Sequence, residues 1–547
     1  MTPSLKSGTG GFVAFAISIF FYLVAAMKLL NDILNNVPEF GQLLAAMDSG
    51  RCPVALSGLS AVHRAHFAAG VYARTGRPVV LVCADEGEGE RLARDLESLT
   101  GQRVPVLAPR SYIFHNAATV SRQWEHRRLA LMRAMAAGEV PLLVAAVEGL
   151  LQRTLPPEEL DRAWAELRTG GSYDLNQLAE TLTAAGYSRC DQVEGVGQFA
   201  LRGGILDVYS PGMEQPVRAE FFGDELDAMG LFDPATQRRT ENVERAVLLP
   251  AAEALPHLAP GGTAGLAARL EKLAAGAEKA GRHELAQTLR QDREALEQGR
   301  SFPATDRYLA LIYPQLATAA DYLPPDACVL FSESSRVGER AKTYQWQLEE
   351  DAKSLMERGE LDGSCAVLSR TFPELNARLS DWPTAYLDSF TLSAYPVPPG
   401  CLLSVTAKQL PSFGASLETA VSDLDHYQRS GLGTLVLVSS EQRALNLQTL
   451  LREQGLRAAV EFQPQTLPGP GETLVSVGGL SAGMEYPEAR LAVLTEGQGA
   501  ALKKPRPRKA ATNREKLKSY ADLSPGDLVV HEHHGVGRYM GMVKLPA

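Results

Sequence analysis

The sequence predicts a multidomain α/β protein: a parallel-sheet platform with an α+β insertion, a second and smaller α/β domain, and a truncated C-terminal β module. Length is the first reason, because 547 residues at roughly 150 per domain make three to four domains. The second lies in residues 51–151, where apolar runs without polar alternation (PVAL, PVVLVCA, VPLLVAAV) are separated by helix-periodic segments. Strands of that kind belong to a parallel sheet covered on both faces. The third is a change of character at about Leu155, after which Gly-punctuated strands of alternating polarity run to about Leu248.

With 45% hydrophobic and 22% charged residues, 48 Gly and 33 Pro, the composition is globular. Lys and Arg total 54 against 64 Asp and Glu, a net charge of -10. A surface of that sign does not condense on nucleic acid unaided, so any DNA contact is local or supplied by a partner. Cys52, Cys83, Cys190, Cys328, Cys365 and Cys401 are scattered, with no C-x-x-C pair. That is the pattern of free thiols in a reducing compartment, and the expected location is the cytoplasm.

Taken in order, residues 1–26 are an apolar N-terminal extension. Gly11 to Met27 carries no charge and reads by hydropathy as a membrane-span or signal-anchor candidate. From Met27 the text also reads as a complete soluble N-terminus, with Leu29, Leu30, Ile33, Leu34 and Val37 at helical spacing. On that second reading the first 26 residues are upstream sequence and no membrane association is expected. Residues 27–150 form the first part of the platform, with helices predicted over Ala61 to Thr75 and Gly87 to Leu99. Residues 151–248 are the insertion, with a helix from Leu175 to Ala185, and 249–395 complete the platform, including a helical stretch from Gly262 to Gln298. After a Pro-rich break, 396–500 make the second α/β unit, with strands TLVLVSS, RAAVEF, TLVSVG and ARLAVLTEG and a helix over Glu441 to Glu453. Residues 501–522 hold the basic run KKPRPRKAATNREKLK, read as a solvated linker or as a direct nucleic-acid contact. Residues 523–547 hold two strand-like runs joined by Gly535 and Gly537, too little for a stable β domain and therefore read as one cut off midway.

The first strand-to-helix turn is where a nucleotide-binding α/β protein places G-x-x-x-x-G-K-[ST]. Here Gly58 keeps the first position, but His63 replaces the second glycine, Arg64 the lysine and Ala65 the hydroxyl that would hold Mg²⁺. A guanidinium still pairs with phosphate, yet little remains to organise the metal, so an ordinary turn is the expectation. His531 and His533 share one face of a strand, half a zinc site with nothing nearby to complete it, and no metal is expected. The acidic run Asp85 to Glu90 reads as a solvated helix face. In the insertion, Arg202 and Arg218 on predicted strands beside Phe221 and Phe222 have the composition of an interface hot spot. The spacing equally allows Phe221 in the core with the arginines bridging to Glu220 or Asp224.

Phe199 to Tyr209 (FALRGGILDVY) followed by Pro216 to Glu225 (PVRAEFFGDE) resembles the paired signature R-G-x-x-[IL]-D-[IVL]-[FY] and R-x-[ED]-F-F-x-[DE]-[ED] shared by UvrB and by the transcription-repair coupling factors (Mfd). Gly526 to Tyr539 (GDLVVHEHHGVGRY) resembles the opening of the CarD-like, Tudor-type module of the second family, which UvrB lacks. The degenerate phosphate loop, and a UvrB-type aromatic hairpin reduced to Ser111-Tyr112-Ile113-Phe114-His115, favour the coupling factors. The resemblance covers about Met27 to Ala547 and implies an adaptor. Arg202, Arg218 and Phe222 would contact UvrA; Val529, Val530, His531, Gly535, Gly537, Arg538 and Tyr539 would bind the RNA polymerase β subunit. It also implies that ATP, Mg²⁺ and double-stranded DNA belong to a translocase motor outside this sequence, so that this stretch carries no cofactor and no catalytic residue and touches DNA weakly if at all. The alternative is a UvrB-type repair ATPase or helicase subunit.

Overall fold

A computed structural model describes residues 29–115, 121–300, 303–413, 417–497, 528–531 and 535–538. The apolar segment 11–27, the basic run after residue 500 and Tyr539 lie outside the described residues. Among the described residues no helix is long and apolar enough to cross a membrane.

The platform is an all-parallel seven-stranded sheet in the order 401–404, 54–57, 384–387, 328–332, 79–83, 142–146, 106–107. Because successive strand residues face opposite ways, each apolar run feeds two cores at once. Val80, Val82, Leu143, Ala145, Val329 and Phe331 pack with the helix Gln123–Ala136 and the helix pair Gly262–Lys279 and His283–Glu297. Val79, Leu81, Leu142, Val144, Cys328 and Leu330 pack on the other side with the helices Pro38–Asp48, Ala61–Thr75 and Glu86–Thr100. The helix Ala61–Thr75 stops where Gly76 takes φ +65°, its N–H capping the Tyr72 carbonyl.

Three sequence expectations change here. The single helical stretch from Gly262 to Gln298 is a helix hairpin, broken where Gly281 turns at φ +74°. The strand Cys401–Ser404 closes the platform beside Val54–Ser57 in parallel register instead of opening the second unit. The chain reaches it from Thr384–Leu387 by a crossover without a helix, a connection that strand-and-helix alternation does not reveal. The acidic run is not wholly solvated: Glu88 is buried and accepts from Ser332 Oγ at 2.8 Å.

The insertion is a six-stranded sheet ordered 239–242, 225–232, 217–222, 205–209, 198–202, 188–189, antiparallel except for its last pair. One face packs Phe199, Leu206, Val208, Val217, Ala219, Leu226 and Met229 against the helix Leu175–Ala184. Its entry and exit strands, Ala165–Arg168 and Arg245–Leu248, pair with each other. At that exit a buried ion network ties insertion to platform. Glu253 meets Arg110 Nε at 3.1 Å and Arg128 Nε at 3.3 Å, and Arg110 also grips Asp306 with both terminal nitrogens.

The second α/β unit is a mixed six-stranded sheet built around the parallel strands 433–438, 473–477 and 491–495. One face seals Val436, Val438 and Val475 under its own helices, including Glu441–Glu453. The other face gives Leu435, Leu437, Leu474, Tyr486 and Val493 to the platform core. The C-terminal strands Leu528–His531 and Gly535–Arg538 form an antiparallel pair, with Val529 opposite Gly537 and His531 opposite Gly535.

Candidate functional site

Two sequence-predicted clusters are brought together in space. The first is the degenerate phosphate loop at the C-terminal end of the platform strands, where open α/β sheets bind ligands. Gly58 has φ +89°, and a Cβ there would come within 2.0 Å of the Val405 carbonyl oxygen, so the backbone just beyond the strand 401–404 lies directly against the turn. Arg64 is 4% exposed and points inward. Its Nη1 donates to the Leu59 carbonyl at 2.9 Å and to Ser389 Oγ at 3.3 Å, and closes a tight ion pair with Glu333. Glu333, just beyond the strand 328–332, thereby neutralises the cation of the loop. Asp388, buried beneath, accepts from the backbone and hydroxyl of Ser334, and burial pushes its carboxyl up to about 6.

His63 and His66 complete the plug. The His63 ring meets Tyr486 of the second unit edge-on at 5.1 Å and bonds Ser60 Oγ at 2.7 Å. His66 Nε2–H donates to the Leu30 carbonyl at 2.8 Å, which leaves Nδ1 to accept from Tyr486 Oη at 2.8 Å. Ala65 lies in the core with no hydroxyl to offer a metal. The residues therefore do not fit a triphosphate with Mg²⁺: the cation is already paired, the hydroxyl is missing, and the ring that stands at the second glycine position is packed against Tyr486. Among the described residues no His, Cys, Asp and Glu group could hold a metal ion.

Burial lowers His63 to about 3 and His66 to about 4. Both lie below the ordinary histidine value near 6.5, so their contribution to stability is whole above that pH and is lost as pH falls toward the folded values. At pH 5 the loss is on the order of 2 kcal/mol per histidine. Thermal unfolding followed from pH 7.5 to 5 should show the midpoint falling, and His66→Gln should flatten that fall. An equal slope in the variant would contradict the burial argument.

The second cluster is the outer face of the insertion sheet. The hairpin joining Gln198–Arg202 to Ile205–Tyr209 turns at Gly203, φ +60°, and a Cβ on Gly204 would lie 2.7 Å from the Phe221 carbonyl. The neighbouring strand Val217–Phe222 is thereby held against the hairpin. Alternation sends Phe221 inward, in edge contact with Tyr173 at 6.3 Å, and leaves Phe222 86% exposed. Arg202, with a side chain 51% exposed, and Ile205, at 38%, stand opposite each other at the same end of the sheet. Arg218 lies lower, its guanidinium over the Phe232 ring at 4.6 Å. Neither arginine bridges to Glu220 or Asp224. Both pair with Asp207, which spacing alone could not single out because the match needs the strand register that sets Asp207 opposite Arg218. Arg218 is raised above its ordinary value by the hydrogen bonds to Asp207.

The remaining predicted residues, Val529, Val530, His531, Gly535, Gly537 and Arg538, share the C-terminal strand pair. Of the reduced hairpin, Tyr112 turns inward and donates from Oη to the Leu368 carbonyl at 2.7 Å.

The platform, its phosphate loop plugged, thus carries a second sheet that exposes arginine and aromatic side chains at one end. The family model described as "UvrB interaction domain" matches residues 165–253, and the one described as "CarD-like/TRCF RID domain" matches residues 523–546. Over nearly its whole length the chain is similar to the N-terminal part of the transcription-repair-coupling factors. It is 29% identical to that of Bacillus subtilis (strain 168) over 530 residues, 28% to that of Staphylococcus haemolyticus (strain JCSC1435) over 533, and 26% to that of Staphylococcus aureus (strain USA300) over 531. These matches cover 94–95% of this chain and 44% of each relative, so the chain spans less than half the length of the curated relatives it matches.

Proposed function

We propose that this chain is the adaptor portion of a transcription-repair coupling factor, recruiting UvrA to RNA polymerase stalled at a lesion in the cytoplasm. The observation that carries this reading is the co-location of Arg202, Ile205 and Phe222 on one exposed end of the insertion sheet, within the segment matched by the UvrB interaction model. An exposed aromatic beside a half-exposed arginine is the chemistry of an interface hot spot, and it needs no rearrangement of the sheet to be reached. The C-terminal strand pair supplies backbone edges for a β-augmentation contact with the polymerase β subunit. No nucleotide takes part here; in the intact protein the push against polymerase and the grip on double-stranded DNA come from a motor that uses ATP and Mg²⁺.

Surface-immobilised UvrA should capture this chain, and Arg202→Ala should weaken capture by about ten-fold. Undiminished capture by that variant would refute the assignment. The reading as a UvrB-type ATPase is separated by titrating Mg-ATP: no saturable binding is expected, and binding lost in Arg64→Ala would replace the adaptor reading.

A further inference from the structure

The docking face contains a group that no partner can touch. Asp207 is fully buried, on the outer side of the strand Ile205–Tyr209, with Ala200 opposite it on one neighbouring strand and Arg218 on the other. Its Oδ1 accepts from Arg218 Nε at 2.7 Å, and its Oδ2 from Arg218 Nη2 at 2.8 Å and from Arg202 Nη2 at 2.7 Å. A buried carboxylate is tolerated only when several donors satisfy it, and here three charged N–H groups do so. The two arginines are used unequally. Arg218 gives Asp207 a bidentate grip, lies on Phe232 and gives two further N–H groups to the backbone oxygen and Oε1 of Gln237, so it is largely occupied. Arg202 gives a single N–H and keeps half of its side chain in solvent. A guanidinium is a rigid planar fork, so one bond at its inner edge fixes where the outer edge points.

We propose that Asp207 is the positioning residue of this face: it orients Arg202 so that its free edge meets a carboxylate on the partner protein. The inference rests on the docking reading above. A protein carboxylate is favoured over a nucleic-acid phosphate because Arg202 is flanked by the apolar Ile205 and Phe222 and the neighbouring guanidinium of Arg239 is paired with Glu220 at 3.6 Å, whereas a phosphate track needs a series of uncommitted cations. The pairing also has a sign that separates positioning from mere charge balance. If Asp207 only neutralised the arginines, its removal would make the face more positive and tighten binding to an acidic partner. If it positions Arg202, removal weakens binding although the net positive charge rises.

The test uses the whole chain with UvrA as the probe, dissociation constants being measured for the unaltered protein, Asp207→Asn, Arg202→Lys, Arg202→Ala, Arg202→Ala with Arg218→Ala, and that pair with Asp207→Asn added. Asp207→Asn and Arg202→Lys should each bind about ten-fold more weakly. Asp207→Asn should add nothing once both arginines are gone. Equal or tighter binding by Asp207→Asn overturns the proposal, as does an equal loss in the background without arginines, which would mark a purely structural role. If Asp207→Asn fails to fold, Arg202→Lys decides: charge is kept and the fork is lost, so unaltered affinity overturns the proposal. A short DNA duplex that displaces UvrA competitively, with Arg202→Ala weakening the duplex itself, overturns the carboxylate assignment. UvrA binding that is weakened by Arg202→Ala but not by Asp207→Asn sinks the positioning role alone. No binding by the unaltered chain sinks the docking reading and this inference together.

Discussion

Phe222→Ala should reduce the affinity for UvrA by about thirty-fold or more while leaving the unfolding transition of the chain where it was. The two halves of this result have separate causes. Exposed aromatic anchors carry about 2 kcal/mol or more of binding free energy when they enter a partner's pocket, which converts to roughly thirty-fold. Folding stability depends instead on apolar surface already removed from water, and Phe222, 86% exposed, has hidden little of its own. Phe221, one residue earlier and facing the core beside Tyr173, provides the contrast: its truncation should lower stability through a cavity and affect binding only through folding. Binding by isothermal titration and unfolding by calorimetry on the two variants would check both. A Phe222→Ala protein that binds normally removes the aromatic anchor from the docking face.

Glu253→Ala should lower the unfolding free energy by about 3–5 kcal/mol, the cost of removing one partner from a buried ionic network. The carboxylate has no exposed surface and lies between the guanidinium groups of Arg110 and Arg128. It also accepts from Thr154 Oγ, while its backbone N–H donates to Glu125 at 2.7 Å. Arg110 would keep Asp306 and Arg128 would keep the Gly149 carbonyl, but two cations would remain in a dry interior with one counter-charge fewer. Because Glu253 stands where the insertion returns to the platform, the same change should free the insertion to move relative to the platform. Urea unfolding with hydrogen exchange along residues 165–253 would measure both consequences. A loss below about 1 kcal/mol would show that the network is easily replaced.

The platform was legible because its strands are buried on both faces and so are written as uninterrupted apolar runs. The helix Ala61–Thr75 is observed with its expected limits, and Glu86–Thr100 within one residue at each end. The strand Cys401–Ser404 is not legible as part of the platform because its partner, Val54–Ser57, lies far earlier in the chain and its burial alternates instead of running unbroken. At the site, the residues were legible and their pairings were not. Arg64, Arg202 and Arg218 stand out as charges in apolar text, but Glu333 and Asp207, which hold them, look like ordinary surface acids until the register brings them near. Tyr486 was invisible for the same reason, lying more than 400 residues from the histidines it contacts.

Val405 closes on Gly58 and Tyr486 rests on His63, so the residues of the turn alone do not decide whether it can take a phosphate. Glycine, lysine and threonine placed at positions 63, 64 and 65 would spell a phosphate loop while leaving Val405 and Tyr486 where they are. The second unit would first have to be prised from the platform, surrendering a shared core. A phosphate site is thus barred here by architecture more firmly than by the three residues of the turn, and the same contacts make the closed cradle a rigid joint between the platform and the second unit.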